Sequence, residues 1–121
     1  MRNFLSNLKS VIMFLALVAT DLVAVQSAWA LDAAGEGRRA WLQYNCYGCH
    51  AMNGAGGMGP NVVRESEELR DAVLNGKGGG MPAYNLIITE QEVTNLITYI
   101  NTMGTASEPK FMHWWEPVPS Q

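Results

Sequence analysis

The chain has little of what builds a protein metal cluster: two cysteines and two histidines in 121 residues. His50 and His113 stand sixty-three positions apart, so a four-ligand zinc site would have to recruit its second imidazole from the far end of the chain. Positive charge is also scarce. Eight Lys and Arg face eleven Asp and Glu, for a net charge of −3. That balance argues against nucleic acid and against anionic lipid surfaces as partners. No apolar run reaches the roughly twenty residues of a spanning helix; the stretch from Val11 to Val25 is shorter and is broken by Asp21. Strand patterns are missing beyond Leu86-Ile87-Ile88, and there is no internal repeat. Gly76-Lys77 lacks the following Ser or Thr and the upstream glycine of a phosphate loop. These absences leave a single small domain of helices and loops.

What is present is concentrated in Cys46-Tyr47-Gly48-Cys49-His50. Two cysteines two residues apart, with a histidine directly after the second, form the attachment signature of a c-type haem. Each thiol adds to one porphyrin vinyl, and the next residue carries its imidazole beneath the iron. A bare Cys-x-x-Cys would also suit zinc or a thioredoxin-like redox pair, but the adjoining His50 favours haem. With both cysteines so committed, no disulfide is available.

The first thirty residues read as a leader. Arg2 and Lys9 give a basic start, an apolar segment follows, and Ala28-Trp29-Ala30 fits a small-x-small cleavage site. The alternative is an uncleaved anchor, which the short run and Asp21 disfavour. Cleavage after Ala30 leaves Leu31 to Gln121, with six basic and ten acidic residues and a net charge of −4. Export to the periplasm agrees with haem attachment, which takes place outside the bacterial cytoplasm, and implies no stable membrane insertion afterwards. A domain of 91 residues has a thin apolar core, and a haem would supply much of it.

Three helices are expected. Asp32 caps the first, over Ala33 to about Asn45, with Glu36 in its first turn and Gly37 and Trp41 on one face. A glycine-rich stretch, Gly54 to Gly59, ends at Pro60. Ser66 caps the second helix and Gly76 closes it. Thr89 and Glu92 form a capping box for the last, whose apolar stripe is Val93, Leu96, Ile97, Ile100 and Met103 before Gly104 stops it. The division is 1–30 leader, 31–104 domain and 105–121 a tail rich in Trp and Pro.

In this order the residues resemble the class I c-type cytochromes, over nearly all of Asp32 to Met103. Gly37-x-x-x-Trp41 looks like that family's glycine-aromatic pair, and Tyr99 takes the matching aromatic place on the last helix. Gly59-Pro60-Asn61 looks like the segment whose proline carbonyl accepts a hydrogen bond from the proximal imidazole, here His50. Met81, in Gly80-Met81-Pro82, looks like the distal methionine. The resemblance implies an all-α cytochrome c fold around one covalent haem c. Cys46 and Cys49 would be the thioethers, His50 and Met81 the iron ligands, and Pro60 a cofactor-binding residue.

From pattern alone the distal ligand stays open among seven methionines. Met103 reads as core. Met52 and Met58 follow the motif too closely to reach across, while Met112 and His113 lie on a tail that can swing over. Met81 follows a glycine run that admits the backbone close to a cofactor, and Pro82 stiffens the loop behind it. His/Met ligation fills both axial positions and implies a one-electron carrier rather than an enzyme. It would shuttle between redox proteins, plausibly taking electrons from a quinoprotein alcohol dehydrogenase. The alternatives are a fixed subunit of a dehydrogenase or oxidase complex, and a haem enzyme or gas binder in which Met81 is displaceable. The tail either seals its own domain or, through Trp114 and Trp115, anchors a partner. Arg38 and Arg39 side by side are candidates for a locally positive docking face.

Overall fold

The computed structural model describes residues 31–65 and 68–116. The chain divides between Ala30 and Leu31, and the expected leader, Ser66 and the last five residues of the tail lie outside the described residues. Among the described residues four helices follow in order: α1 (Ala33–Gln43), α2 (Tyr47–His50), α3 (Leu69–Asn75) and α4 (Glu90–Thr102). Three were expected; the fourth is the single turn that holds the haem motif. Among the described residues no helix is long and apolar enough to cross a membrane.

α1 begins where Asp32 accepts a hydrogen bond from the Gly35 amide at 2.7 Å, which satisfies one of the helix's orphan donors. α4 begins with a complete capping box: Thr89 Oγ1 accepts from the Glu92 amide at 3.2 Å, and Glu92 Oε2 accepts from the Thr89 amide at 2.8 Å. α3 departs from expectation. It starts at Leu69 with Glu68 in the cap position and no side-chain cap bond, and it closes at Gly76 with φ 73°.

The core is the crossing of α1 and α4, the most extensive helix contact in the domain. At Gly37 the two backbones touch: a Cβ there would stand 2.0 Å from the carbonyl oxygen of Asn95. Trp41 meets Tyr99 edge-on, with ring centroids 6.1 Å apart. Val93, Leu96, Tyr99, Ile100 and Met103 are fully buried, and each large apolar side chain contributes about 1.5–3 kcal/mol by leaving water. Leu86-Ile87-Ile88 is not a strand. The Ile87 and Ile88 amides both donate to the Tyr84 carbonyl, giving a turn that buries Ile88 and leaves Leu86 94% exposed.

The tail runs back along α1 and α4. Pro109 and Phe111 are buried, and Arg38 holds the segment. Its Nε donates to the Phe111 carbonyl at 2.7 Å, its Nη2 to the Lys110 carbonyl at 3.3 Å, and its Nη1 to the Tyr99 hydroxyl. Glu108 lies 3.9 Å from the same guanidinium. Arg39 Nη1 reaches the carbonyls of Trp114 and Glu116, both at 2.6 Å. The expected positive docking spot is therefore corrected. Arg38 is 3% exposed, and its buried donors are served by two tail carbonyls and the Tyr99 hydroxyl.

Candidate haem-binding site

Cys46 is tied to the end of α1, its amide donating to the Trp41 carbonyl at 3.1 Å. The amides of Cys49 and His50 both return to the Cys46 carbonyl, at 3.2 and 3.0 Å. This single turn sets Cys46 and Cys49 three apart on one face, as attachment to two neighbouring vinyls requires. Ala51 leaves the turn at φ 62°, a left-handed conformation unusual for a residue with a side chain.

The glycine stretch then folds back beneath the histidine. The Gly59 amide donates to the Cys49 carbonyl at 2.9 Å, and the Pro60 carbonyl lies 2.8 Å from His50 Nδ1. A carbonyl only accepts, so Nδ1 carries the proton and Nε2 keeps its lone pair. Gly59 is pressed against the ring: a Cβ there would sit 2.7 Å from Cε1 and 2.9 Å from Nδ1 of His50. On the other side the Trp41 ring lies 6.1 Å from the imidazole. The imidazole is buried and held on several sides.

These groups open onto a cavity of ≈ 580 Å³ whose lining includes Cys46, Cys49, His50, Pro60 and Met81. Its wall is mainly apolar, with Val62, Leu69, Val73, Ile88 and Leu96, and its volume falls in the range of about 300–1,000 Å³ typical of cofactor sites. Met81 arrives on a glycine loop: the Lys77 amide donates to the Met81 carbonyl at 3.2 Å, and the Tyr84 amide fixes the far end on the Val73 carbonyl at 2.9 Å. Gly79 and Gly80 take φ of 98° and 114°, which favours glycine at both. Met112 and His113 are not in this lining. Met112 Sδ lies 3.6 Å from Arg38 Nη2, and His113 Nδ1 lies 2.9 Å from Glu116 Oε1. Met58, set aside from the sequence, does line the cavity but is largely exposed.

The residues fit a haem. Among the described residues no three His, Cys, Asp or Glu side chains gather to hold a metal ion by themselves, whereas two thiols, one imidazole and the thioethers of Met81 and Met58 line an apolar cavity. Burial pushes the Cys46 thiol up to about 12. Burial, reinforced by the bond to Glu92, likewise raises Tyr44 to about 12, and burial raises Tyr84. Both phenols at the cavity are neutral. Among the described residues one buried polar side-chain atom, Nε1 of Trp41, has no hydrogen-bond partner.

Sequence reasoning placed Arg38 at the surface, although a signal of its burial existed: it falls on the buried stripe Ala34, Gly37, Arg38, Trp41 at helical spacing. It also missed the contact of Gly59 with the His50 ring, for which the sequence carries no signal.

A family profile described as cytochrome c oxidase, cbb3-type, subunit III matches residues 32–100. Two curated relatives are both cytochromes c55X. That of Paracoccus denitrificans (strain Pd 1222) is 29% identical over 94 residues, covering 71% of this chain and 91% of the relative. That of Stutzerimonas stutzeri is 30% identical over 94 residues, covering 69% and 82%. No solved structure matches.

Proposed function

The chain belongs to the c-type cytochromes and carries one covalent haem c for electron transfer; from that premise we propose that it is a His/Met-ligated periplasmic one-electron carrier and converts no substrate. In this reading Cys46 and Cys49 hold the haem through thioethers, and His50 and Met81 are the proximal and distal ligands. The observation that carries the reading is the convergence of all four side chains on one apolar cavity. The Pro60 carbonyl, 2.8 Å from Nδ1, fixes the tautomer of His50 and aims Nε2 away from the loop.

When bound, the haem supplies a one-electron iron couple whose potential a methionine ligand raises. The protein's part is positioning: the α2 turn presents the thiols, the Gly59 and Pro60 loop locks the imidazole, and the Gly78 to Gly80 loop presents the sulfur. Locked ligands need not move between oxidation states, which keeps reorganisation small. A quinoprotein alcohol dehydrogenase is the donor to try first.

A second reading, a fixed subunit of an oxidase complex, draws on the family description, which names such a subunit. Trp114 and Trp115, 37% and 63% exposed, are the anchors it would use.

Met81→Ala is the test. The parent should show a low-spin spectrum with a weak far-red sulfur-to-iron band, and the variant should lose the band and bind added imidazole or carbon monoxide. An unchanged ferric spectrum in the variant would move the ligand elsewhere, with Met58 next. A high-spin parent would favour the gas-binding alternative, and stable co-purification with oxidase subunits would favour the second reading.

A further inference from the structure

The turn that follows the Met81 loop exposes what a small domain ordinarily hides. Leu86 is 94% exposed and Ile87, beside it, 63%. Pro82 and Ala83 are exposed as well. Between Lys77 and Glu90 no residue carries a charge, although 16% of the chain does. Single apolar residues scattered over a surface need no cause, but neighbouring large ones in an uncharged stretch mark an interaction site. The exposure does not come from a loose loop. The Ile87 and Ile88 amides donate to the Tyr84 carbonyl at 2.9 and 3.0 Å, Ile88 is buried, and the capping box of α4 starts at the next residue.

The same turn borders the haem cavity. Tyr84 and Ile88, on either side of the exposed pair, both line it. So does Tyr44, which stands two residues before Cys46 and ties the turn to the haem motif. Its hydroxyl lies 3.0 Å from both the Ile87 carbonyl and Glu92 Oε1, and its carbonyl accepts from the Tyr84 hydroxyl at 3.5 Å. The haem motif is itself open to water at Tyr47, Gly48 and Cys49.

We propose that Leu86 and Ile87 are the apolar contact on which the redox partner docks, and that this partner is a protein with an apolar surface rimmed by basic side chains. Charge selects the occupant. The turn supplies no charge of its own, while Glu92 lies beside it, Glu90 follows it, and 31–121 as a whole carries −4; together these attract a cationic rim around an uncharged centre. Two aliphatic side chains bury only a small area, which suits an encounter that must release quickly. The proposal deepens the electron-carrier reading above and rests on it.

The experiment replaces both residues, as Leu86→Asn with Ile87→Asn, in the full, haem-loaded chain. Two oxidants or reductants are compared by stopped flow: a lysine-rich mitochondrial cytochrome c as the basic protein probe, and the hexaammineruthenium ion, which needs no docking surface. A parent without covalent haem would sink the haem assignment, separately from this proposal. With haem in place, the variant should keep the parent's low-spin spectrum and potential and its rate with hexaammineruthenium. Its second-order rate with the basic cytochrome should fall about tenfold or more, the effect of leaving one large aliphatic side chain unburied in the encounter. That ratio to the parent should persist at high salt, which screens charge but not apolar contact. A variant as fast as the parent with the basic cytochrome overturns the proposal. An equal loss with both probes also overturns it, since it would reflect access to the haem rather than docking. Self-association of the parent that the variant lacks would give the turn to a second copy of this chain instead. Should the double variant lose its low-spin spectrum, Leu86→Asn alone, at the more exposed position, decides.

Discussion

Gly37 is where helix propensity and packing make opposite predictions. In an exposed helix interior, replacing glycine with alanine stabilises by about 1 kcal/mol. At Gly37 the added Cβ would stand 2.0 Å from the Asn95 carbonyl oxygen, 2.5 Å from its carbon and 2.7 Å from the Tyr99 Cβ. Two of the three obstacles are main chain, and no rotamer change relieves them. Restoring an ordinary separation of about 3.5 Å pushes α1 and α4 apart by roughly 1.5 Å. That gap opens beneath Trp41 and Tyr99, in the most completely buried part of the core. Overpacking costs about 1–3 kcal/mol, and a backbone obstacle puts Gly37→Ala at the top of that range. After the helical gain the net loss is about 2 kcal/mol, or about 8–16 °C in Tm for a domain this small. Thermal unfolding of the haem-loaded protein, followed by circular dichroism, measures it. Gly35→Ala is the control, because its Cβ would meet only side-chain atoms, the nearest being Leu31 Cβ at 3.0 Å; its Tm should change little. A Gly37→Ala protein that melts at or above the parent temperature would refute the close crossing.

Two further outcomes follow from groups away from the cavity. Arg38→Lys should destabilise the domain by about 3 kcal/mol in urea titration, because it removes the fork that serves Phe111, Lys110 and Tyr99 and leaves Glu108 beside a group of different reach; a loss below about 1 kcal/mol would show that the tail holds without it. Glu92 supplies an acid-side term: burial alone would raise its pKa, but the Thr89 amide and hydroxyl and the Tyr44 hydroxyl outweigh it and hold the carboxyl below the usual range. A lowered folded-state pKa gives stability that is present above the unfolded value of about 4.3 and fades as pH falls through the folded value. Glu92→Gln should therefore be less stable than the parent at neutral pH and converge on it in acid, and a gap that widens on acidification would reverse the assignment.

Elements were legible in the sequence in proportion to how local their causes are. The last helix was fully readable, since Thr89 and Glu92 announce its start within four residues and the stripe to Met103 follows one period. The haem turn was readable for the same reason, all its chemistry lying between Cys46 and His50. The Pro60 contact came through family resemblance, and the 2.8 Å spacing agrees with it. Leu86-Ile87-Ile88 was too short to read as a strand, and it forms a turn in which both isoleucine amides return to Tyr84. Arg38 was misread because its partners lie 61 to 74 residues away. A charged side chain next to a second arginine reads as surface until the chain that covers it is known.

The burial of Arg38 bears on how partners approach. Two exposed arginines side by side would form a cationic island on an acidic protein and make the net charge a poor guide to docking. Arg38 is instead buried beside Glu108, and Arg39 sits 3.1 Å from Glu36. Arg70, Lys77 and Lys110 each lie against a carboxylate, of Glu90, Glu68 and Glu108. Five of the six basic residues of 31–121 are thus matched locally. The exposed ones among these pairs add little to stability, about 0–1 kcal/mol, but they cancel positive field over short distances. Residues 31–121 keep a net charge of −4, which a partner senses over about 10 Å of screening at 0.1 M salt. Steering at that range favours a redox partner with a basic docking patch, and it does so whichever donor or acceptor the carrier meets.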